Sequence, residues 1–551
     1  YTYNADSTAQ TLLKDFDYQE GNQGVLWGTF GSGFLELNRD NFLNITSMYS
    51  RTSDDQTILQ LGGEQNDNFI PLTKTSFNFI GRSIFFNQIT GDHRNLKDSK
   101  VRLQWNAVVS TGKRDEPDRR LIEQQVESQT VTYASRFFSD LEQLSIGGKT
   151  SARFPVYQAF ESTAYATIGF NAGYTDRSFN ARRFTQQGRG GSALIGDPGV
   201  LLGPDALGPV STIKEVTQPE DSYVANNLLV GGYAQLETPV APRMQFLGLL
   251  RFEAFRQEVT SNSPFSDDDN EPQGTNRQDL NPMPSANLSI EINEKMFVKL
   301  GYGMTVIRPA IRELAPFAYL DFLRGWLVQG NPELKPTQVQ NAEARYEYYF
   351  GDTDLIAATA FGKYFVDPIE FVILSQVNGN ASYRNAESAW LVGGEVELRL
   401  GFGRFHDKLE RFYFLGNVAV MGSQTTLPAN QQIAGRLQRR LFNQSPFVTN
   451  LSLRFDDPGA GVMVGLIYNA FGPRIVEAGS PQGGDVIAPD VFQQTQHQLD
   501  LIATWNVTEH VKLGFKWKNI ALARVRYKQG DELTFLQNWG STVSIGAEYI
   551  Y

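Results

Sequence analysis

Residues 511–518 read VKLGFKWK, and residues 539–551 read WGSTVSIGAEYIY. In the first stretch Val511, Leu513, Phe515 and Trp517 fall on one side of an extended chain. Lys512, Lys516 and Lys518 fall on the other, because successive side chains of a strand point to opposite faces. In the second stretch Val543, Ile545, Ala547, Tyr549 and Tyr551 alternate with Thr542, Ser544, Gly546, Glu548 and Ile550. An apolar face backed by full charges belongs between an apolar and a wet environment. The wall of a transmembrane β-barrel is such a boundary, and a terminal aromatic in mid-strand suits it better than the frayed polar tail of a soluble domain.

The same period of two recurs along the chain. Val101, Leu103, Trp105, Ala107 and Val109 oppose Arg102, Gln104 and Asn106; Ala342, Ala344, Tyr346, Tyr348 and Phe350 oppose Asn341, Glu343, Arg345 and Glu347; Val396, Leu398 and Leu400 oppose Glu395, Glu397 and Arg399. No run of 18 apolar residues interrupts it, which excludes a helical membrane protein. A mean hydropathy of −0.32 over 551 residues is compatible with a barrel, because only alternate residues meet lipid. A propeller would show a repeat of roughly 40–50 residues, and none is present. The aromatics Trp27, Trp105, Tyr346, Tyr348, Tyr364, Trp517 and Trp539 lie on or near strands, where interfacial girdles sit. The net charge of −11 argues against a nucleic-acid partner. The lack of cysteine rules out disulfides and thiolate metal sites.

Connections sort by length. Short ones fall at 38–41, 241–243, 293–295, 351–354, 456–459 and 507–510, and long polar ones at about 187–221, 262–280, 308–336, 426–439 and 477–491. Tight periplasmic turns facing long extracellular loops are the asymmetry of an outer-membrane barrel. The pattern predicts about nineteen strands in a barrel over 25–551, with 1–24 an extracellular loop remnant or partial strand. Because the first and last of these run toward the short turns, an odd number of leading strands is expected to be missing.

Four segments then carry a resemblance: RPAIRELAPFAYLDF (308–322), GNPELKPTQVQNAEARYEYYF (330–350), ATAFGKYFVDPIE (358–370) and YRNAESAWLVGGEVEL (383–398). In this order they closely resemble the C-terminal barrel of TonB-dependent outer-membrane receptors. The motif residues are Arg308, Pro309, Glu313, Gly330, Asn331, Pro332, Asp367, Pro368 and Glu370. The resemblance implies an all-β, transmembrane antiparallel barrel of the 22-stranded type in the bacterial outer membrane. It also implies a plug that contacts TonB, a segment nothing in this sequence resembles. The expectation is therefore a barrel with its plug absent. The partners implied are outer-membrane lipid and lipopolysaccharide, TonB through that plug, and the barrel-insertion machinery. The last of these would read Val543, Ile545, Ala547, Tyr549 and Tyr551, although the family more often ends on Phe.

Elementary chemistry supports the motif residues without the family. Pro309 and Pro316 remove ladder donors, Gly330-Asn331-Pro332 reads as a turn, and Leu334-Lys335-Pro336 as an extended approach to the next strand. Shaping a loop is the favoured role, substrate contact the minor one. The inward charges expected are Glu343, Arg345, Glu347, Lys363, Glu395, Glu397, Arg399, Lys512, Lys516 and Lys518, since a lipid-facing Lys or Arg at the midplane would cost about 2–4 kcal/mol. They would pair across strands, hydrate the lumen, dock a plug or line a substrate path. His93, His406, His497 and His510 show no zinc spacing. SDDDNEPQG (266–274) lacks calcium-loop spacing, GKRDEPDRR (112–120) reads as a charged outer loop, and QQGRGGSALIG (186–196) as a flexible one. No catalytic grouping or cofactor motif is read, so an enzyme is not expected. The functional expectation is a receptor that takes up a scarce, bulky nutrient. The alternative is a non-transporting barrel serving as scaffold or as part of a secretion or surface complex, with a surface lipoprotein among its partners.

Overall fold

The computed structural model describes all residues except 1, 6–9, 66–68, 96–98, 263–271, 322–325, 352, 376–378, 429–437, 480, 484–485, 488 and 551. Its main feature is an antiparallel meander: Gln10–Asn38, Asn41–Gln65, Phe69–His93, Arg102–Gln125, Val131–Ala159, Ser162–Gly188, Tyr223–Ala241, Met244–Asn262, Pro272–Asn293, Met296–Ile307, Thr337–Tyr349, Leu355–Val366, Ser388–Gly401, Phe412–Thr426, Phe447–Asp457, Val462–Phe471, Gln496–Asn506, Val511–Lys518 and Thr542–Tyr549. Each strand pairs with the next. The short strands Thr2–Ala5, Ser211–Glu215 and Gln438–Arg439 join the same sheet. Among the described residues no register joins Gln10–Asn38 to Thr542–Tyr549.

The expected count of about nineteen strands is corrected by this architecture. The main sheet holds 22 strands, and the chain has 32 among its described residues, the rest lying in small sheets built by the connections. Those extra strands are two to seven residues long, too short to show a period of two above background.

The first six long strands have 24 to 29 residues, whereas those from Met296 onward have 8 to 15. About 9–11 residues cross a bilayer, so the first wall continues far beyond the membrane. The segment 112–120, expected as an outer loop, lies inside the strand Arg102–Gln125. Pro117 is accommodated because both its ladders are interrupted there, between Phe77 and Gly81 on one side and between Glu116 and Arg119 on the other. Residues 186–196 are also built. The strand Ser162–Gly188 ends in a 3-10 turn, Gly190 and Gly191 take φ of 66° and 81°, and Leu194, Leu201 and Leu202 pack on Ile122 and Ala134.

Outward side chains such as Val392, Val396, Val420, Trp505, Trp517 and Ile545 are exposed, as a lipid-facing surface requires. Val543, Ile545, Ala547 and Tyr549 pair with Trp517, Phe515, Leu513 and Val511 on that face; Tyr551 lies outside the described residues.

Since the chain has no cysteine, single cysteines report the faces cleanly. In outer membranes Lys516→Cys should react with a water-soluble maleimide and Phe515→Cys should not; the opposite pattern would reverse the register. An epitope inserted after Gly190, whose neighbourhood is open, should leave a folded barrel and bind antibody on intact cells. The same insertion in the two-residue turn after Asn293 should impair assembly, and antibody binding there on intact cells would exchange inside for outside.

Candidate functional site

Register carries the inward face from strand to strand. Lys299 stands opposite Arg345, Arg345 opposite Thr359, and Thr359 opposite Glu395. By the same ladder Glu343, Arg345, Glu347, Lys363, Glu395, Glu397 and Arg399 share one face, continued by Asn417, Asn450, Asn469 and Gln498 to Lys512, Lys516 and Lys518. The charges form a rung across the wall. Lys299 lies 2.9 Å from Glu347, Arg345 lies 2.7 Å from Glu347 and 2.8 Å from Glu397, and Arg399 lies 2.7 Å from Glu397. Asn417 donates to Glu395 at 2.6 Å, Asn450 to Asn417 at 3.0 Å, and Asn469 to Asn450 at 2.6 Å. Lys363 donates to Asn341 at 2.6 Å, and Lys512 faces Glu548 in register. Glu343 faces Gly301, where an added Cβ would come within 3.1 Å of Glu343 Cγ.

The motif residues collect in one folded structure on that face. Arg308 reaches back to Glu253 at 2.9 Å and lies over Phe255, and the Pro309 carbonyl accepts from Gln257. With both prolines unable to donate, the chain leaves the ladder and forms the one-turn helix Ile311–Leu314, where Glu313 accepts from the Ala310 amide at 2.8 Å. Ile311, Leu314, Ala315, Phe317 and Leu334 then bury themselves against Phe137, Phe179, Tyr223 and Val259 of the wall. Gly330 is required here, because a Cβ would meet the Ala315 carbonyl at 2.0 Å. Asn331, followed by Pro332, donates its amide to the Glu313 carbonyl and its side chain to the Tyr383 carbonyl.

A second connection locks to the first. The strands Ala318–Asp321, Trp326–Gln329, Asn380–Asn385 and Ile369–Ser375 form one small sheet. Asp367 takes a φ of 52°, and its carbonyl accepts from Thr337 and Asn385; the Pro368 carbonyl accepts from Ala386. Glu370 is buried against Arg439 at 2.6 Å. Burial pushes its carboxyl up, and Arg439 pulls against that.

Beyond this loop layer, at the end of the wall away from the short turns, lies a cavity of about 1120 Å³. Aromatic walls come from Phe16, Tyr18, Tyr133, Trp326, Phe535 and Trp539, with Tyr18 stacked on Phe535 at 5.7 Å. Its cations are already paired: Lys74 bridges Glu64 at 2.7 Å and Glu123 at 2.9 Å, and Lys14 lies 3.4 Å from Glu64. Sequence reading missed this site. It placed residues 10–24 in a loop remnant or partial strand and Trp539 in a girdle, because a wall wet on both faces loses its hydropathy alternation.

The histidines have structural partners: His93 contacts Asn41 and Trp105, His497 contacts Tyr468, and His510 contacts the Ile550 carbonyl. No group of three or more potential metal ligands occurs among the described residues. Residues 266–271 of the acidic segment lie outside the described residues.

No curated protein matches the sequence. Several solved structures share the fold. The siderophore receptor PiuA from Acinetobacter baumannii aligns with a TM-score of 0.59 and 11% identity over 99% of this chain and 84% of its own. The copper transporter OprC aligns with a TM-score of 0.58 and 14% identity over 98% and 80%. FpvA of P. aeruginosa, bound to a heterologous pyoverdine, gives 0.60 and 10% over 98% and 71%. The expectation of an absent plug is corrected by the extent of these alignments, which take in 99% of this chain and 84% of the PiuA structure. The family model described as TonB dependent receptor-like, beta-barrel matches residues 1–520, and the chain belongs to that family.

Proposed function

We propose that this protein takes up a scarce, bulky solute across the outer membrane, capturing it in the outer cavity and passing it along the charged inner face by TonB-driven rearrangement. Family membership makes it a bacterial outer-membrane receptor and transporter, not an enzyme. The observation that carries the reading is the cavity itself. Its volume suits a ligand of several hundred daltons, and its walls come from the first strand, the infolded loop and the last connections together. Stacked aromatics beside paired lysines offer broad contact with specificity at the rim. A siderophore receptor and a copper transporter among the similar structures favour uptake over a scaffold role.

The test is uptake in cells that depend on this receptor, using a panel of labelled iron(III) chelates, copper complexes, cobalamin, oligosaccharides and peptides. One class should accumulate only while the proton-motive force is intact. Tyr18→Ala with Phe535→Ala should raise its half-saturation concentration about tenfold while surface abundance stays unchanged. Energy-independent accumulation, or a double variant that transports every member of the panel normally, would sink the proposal.

A further inference from the structure

Four arginines surround the aromatic pair Phe137 and Phe317, whose rings lie 6.3 Å apart on the inner side of the wall. Arg119 lies over Phe137 at 4.5 Å, and Arg183 lies over both rings at 4.9 and 5.3 Å. Arg312 lies 4.3 Å from Phe317 and 4.1 Å from Tyr319. Arg114 completes the group, close enough to both Arg119 and Arg312 to repel them.

Their acceptors are unevenly shared. Arg114 holds Glu116 at 3.1 Å and Ser139 at 3.3 Å. Arg183 holds Asp221 at 2.7 Å and donates to the Ala318 carbonyl. Among the described residues Arg119 has only a distant polar contact, with Glu116 at 3.8 Å. Arg312 has no hydrogen bond and no ion pair among the described residues. Glu313, beside it in sequence, already accepts from the Ala310 amide. Burial works against the charge of Arg312. A half-buried cation without an acceptor is costly, and methionine would fill the same space against Phe317 and Tyr319 without that cost.

Two of the arginines lie near residues of the cavity lining. Arg119 is followed on its inward face by Leu121 and Glu123, and both line the cavity together with Tyr133 from the next strand. Leu320, next to Tyr319, lines it too. The arginines therefore lie beside the cavity lining without belonging to it. A guanidinium presents a planar fork matched to carboxylate and phosphate oxygens.

We propose that Arg312 and Arg119, backed by Arg114 and Arg183, form a subsite for a carboxylate or phosphate group of the transported solute. The assignment to a transported solute rests on the uptake function proposed above; anion binding itself does not, and it is read on purified protein. Melting of the full receptor in detergent is compared in citrate, in inorganic phosphate and in chloride of equal ionic strength. Citrate or phosphate should raise the wild-type melting temperature by about 2–4 °C. Arg312→Met should abolish that rise, and Arg119→Met should reduce it. In chloride, Arg312→Met should melt at or above wild type, because no protein acceptor loses its partner, whereas Arg183→Met should melt lower. The proposal is overturned if neither anion shifts the wild type, or if the shift survives in Arg312→Met. It is equally overturned if Arg312→Met destabilises in chloride as much as Arg183→Met, which would make Arg312 a structural pin of the loop. Loss of energised uptake with an intact anion shift would reject the transport reading and leave the subsite standing.

Discussion

Backbone amides and carbonyls cannot be left unpaired in hydrocarbon, where each costs several kcal/mol, and the wall of this protein follows from that constraint. An antiparallel ladder satisfies them strand by strand, and the ladder fixes which residues share a face. Once Lys299, Arg345, Thr359 and Glu395 are in register, neighbouring charges have no choice but to meet on the wet side. The run Lys299–Glu347–Arg345–Glu397–Arg399 is thus a consequence of pairing as much as a cause of stability. Its members are partly solvated, so each contact contributes modestly. By register the same face continues through Asn417, Asn450, Asn469 and Gln498 to Lys512, Lys516 and Lys518.

A wall of this many strands encloses more space than its own side chains can fill. The chain answers with its connections. Pro309 and Pro316 prevent the strand Met296–Ile307 from simply continuing, and the loop that follows turns inward and builds the largest buried cluster among the described residues, around Phe317 and Leu314. That cluster has no counterpart on the lipid side, where apolar residues stay exposed to be covered by acyl chains. The hydrophobic core of this protein therefore lies between its loops and the inner face of its wall.

The parts legible in the sequence are those where two solvents meet. Across the membrane belt one face is apolar and the other charged, so Val511–Lys518 and Thr542–Tyr549 could be placed, as could the short turns at 241–243 and 293–295. Above the belt both faces are wet, and the alternation disappears although the ladder continues. That is why 112–120 looked like a loop and residues 10–24 like a loop remnant or partial strand. The same blindness hid the cavity, whose walls come from positions as far apart as Tyr18 and Phe535. The motif around Arg308 to Glu313 was visible, but its partners Glu253, Gln257 and Phe137 were not, because only the folded register brings them near. Arg312 drew no notice at all: in sequence it is one more charge in a polar loop, and its lack of an acceptor is a property of three-dimensional surroundings.

The pair Glu370–Arg439 shows how the loop layer is held to the wall. Both side chains are almost wholly buried, and Thr425 of the wall strand Phe412–Thr426 also contacts Glu370. Arg439 in turn pairs with Thr425 in the ladder. Removing one partner would strand a buried charge at a cost of about 3–5 kcal/mol, whereas an apolar pair of equal volume would be about as stable. Stability alone therefore gives no reason for ions here. What the ions supply is uniqueness: only one register of Gln438–Arg439 brings the guanidinium to Glu370, and only one position of the strand Ile369–Ser375 brings Glu370 to the guanidinium. A slip of one residue would turn either group to the other face. The small sheet that carries Trp326 into the cavity is thereby tied to the wall at one defined position, and the cavity's shape is inherited from that attachment.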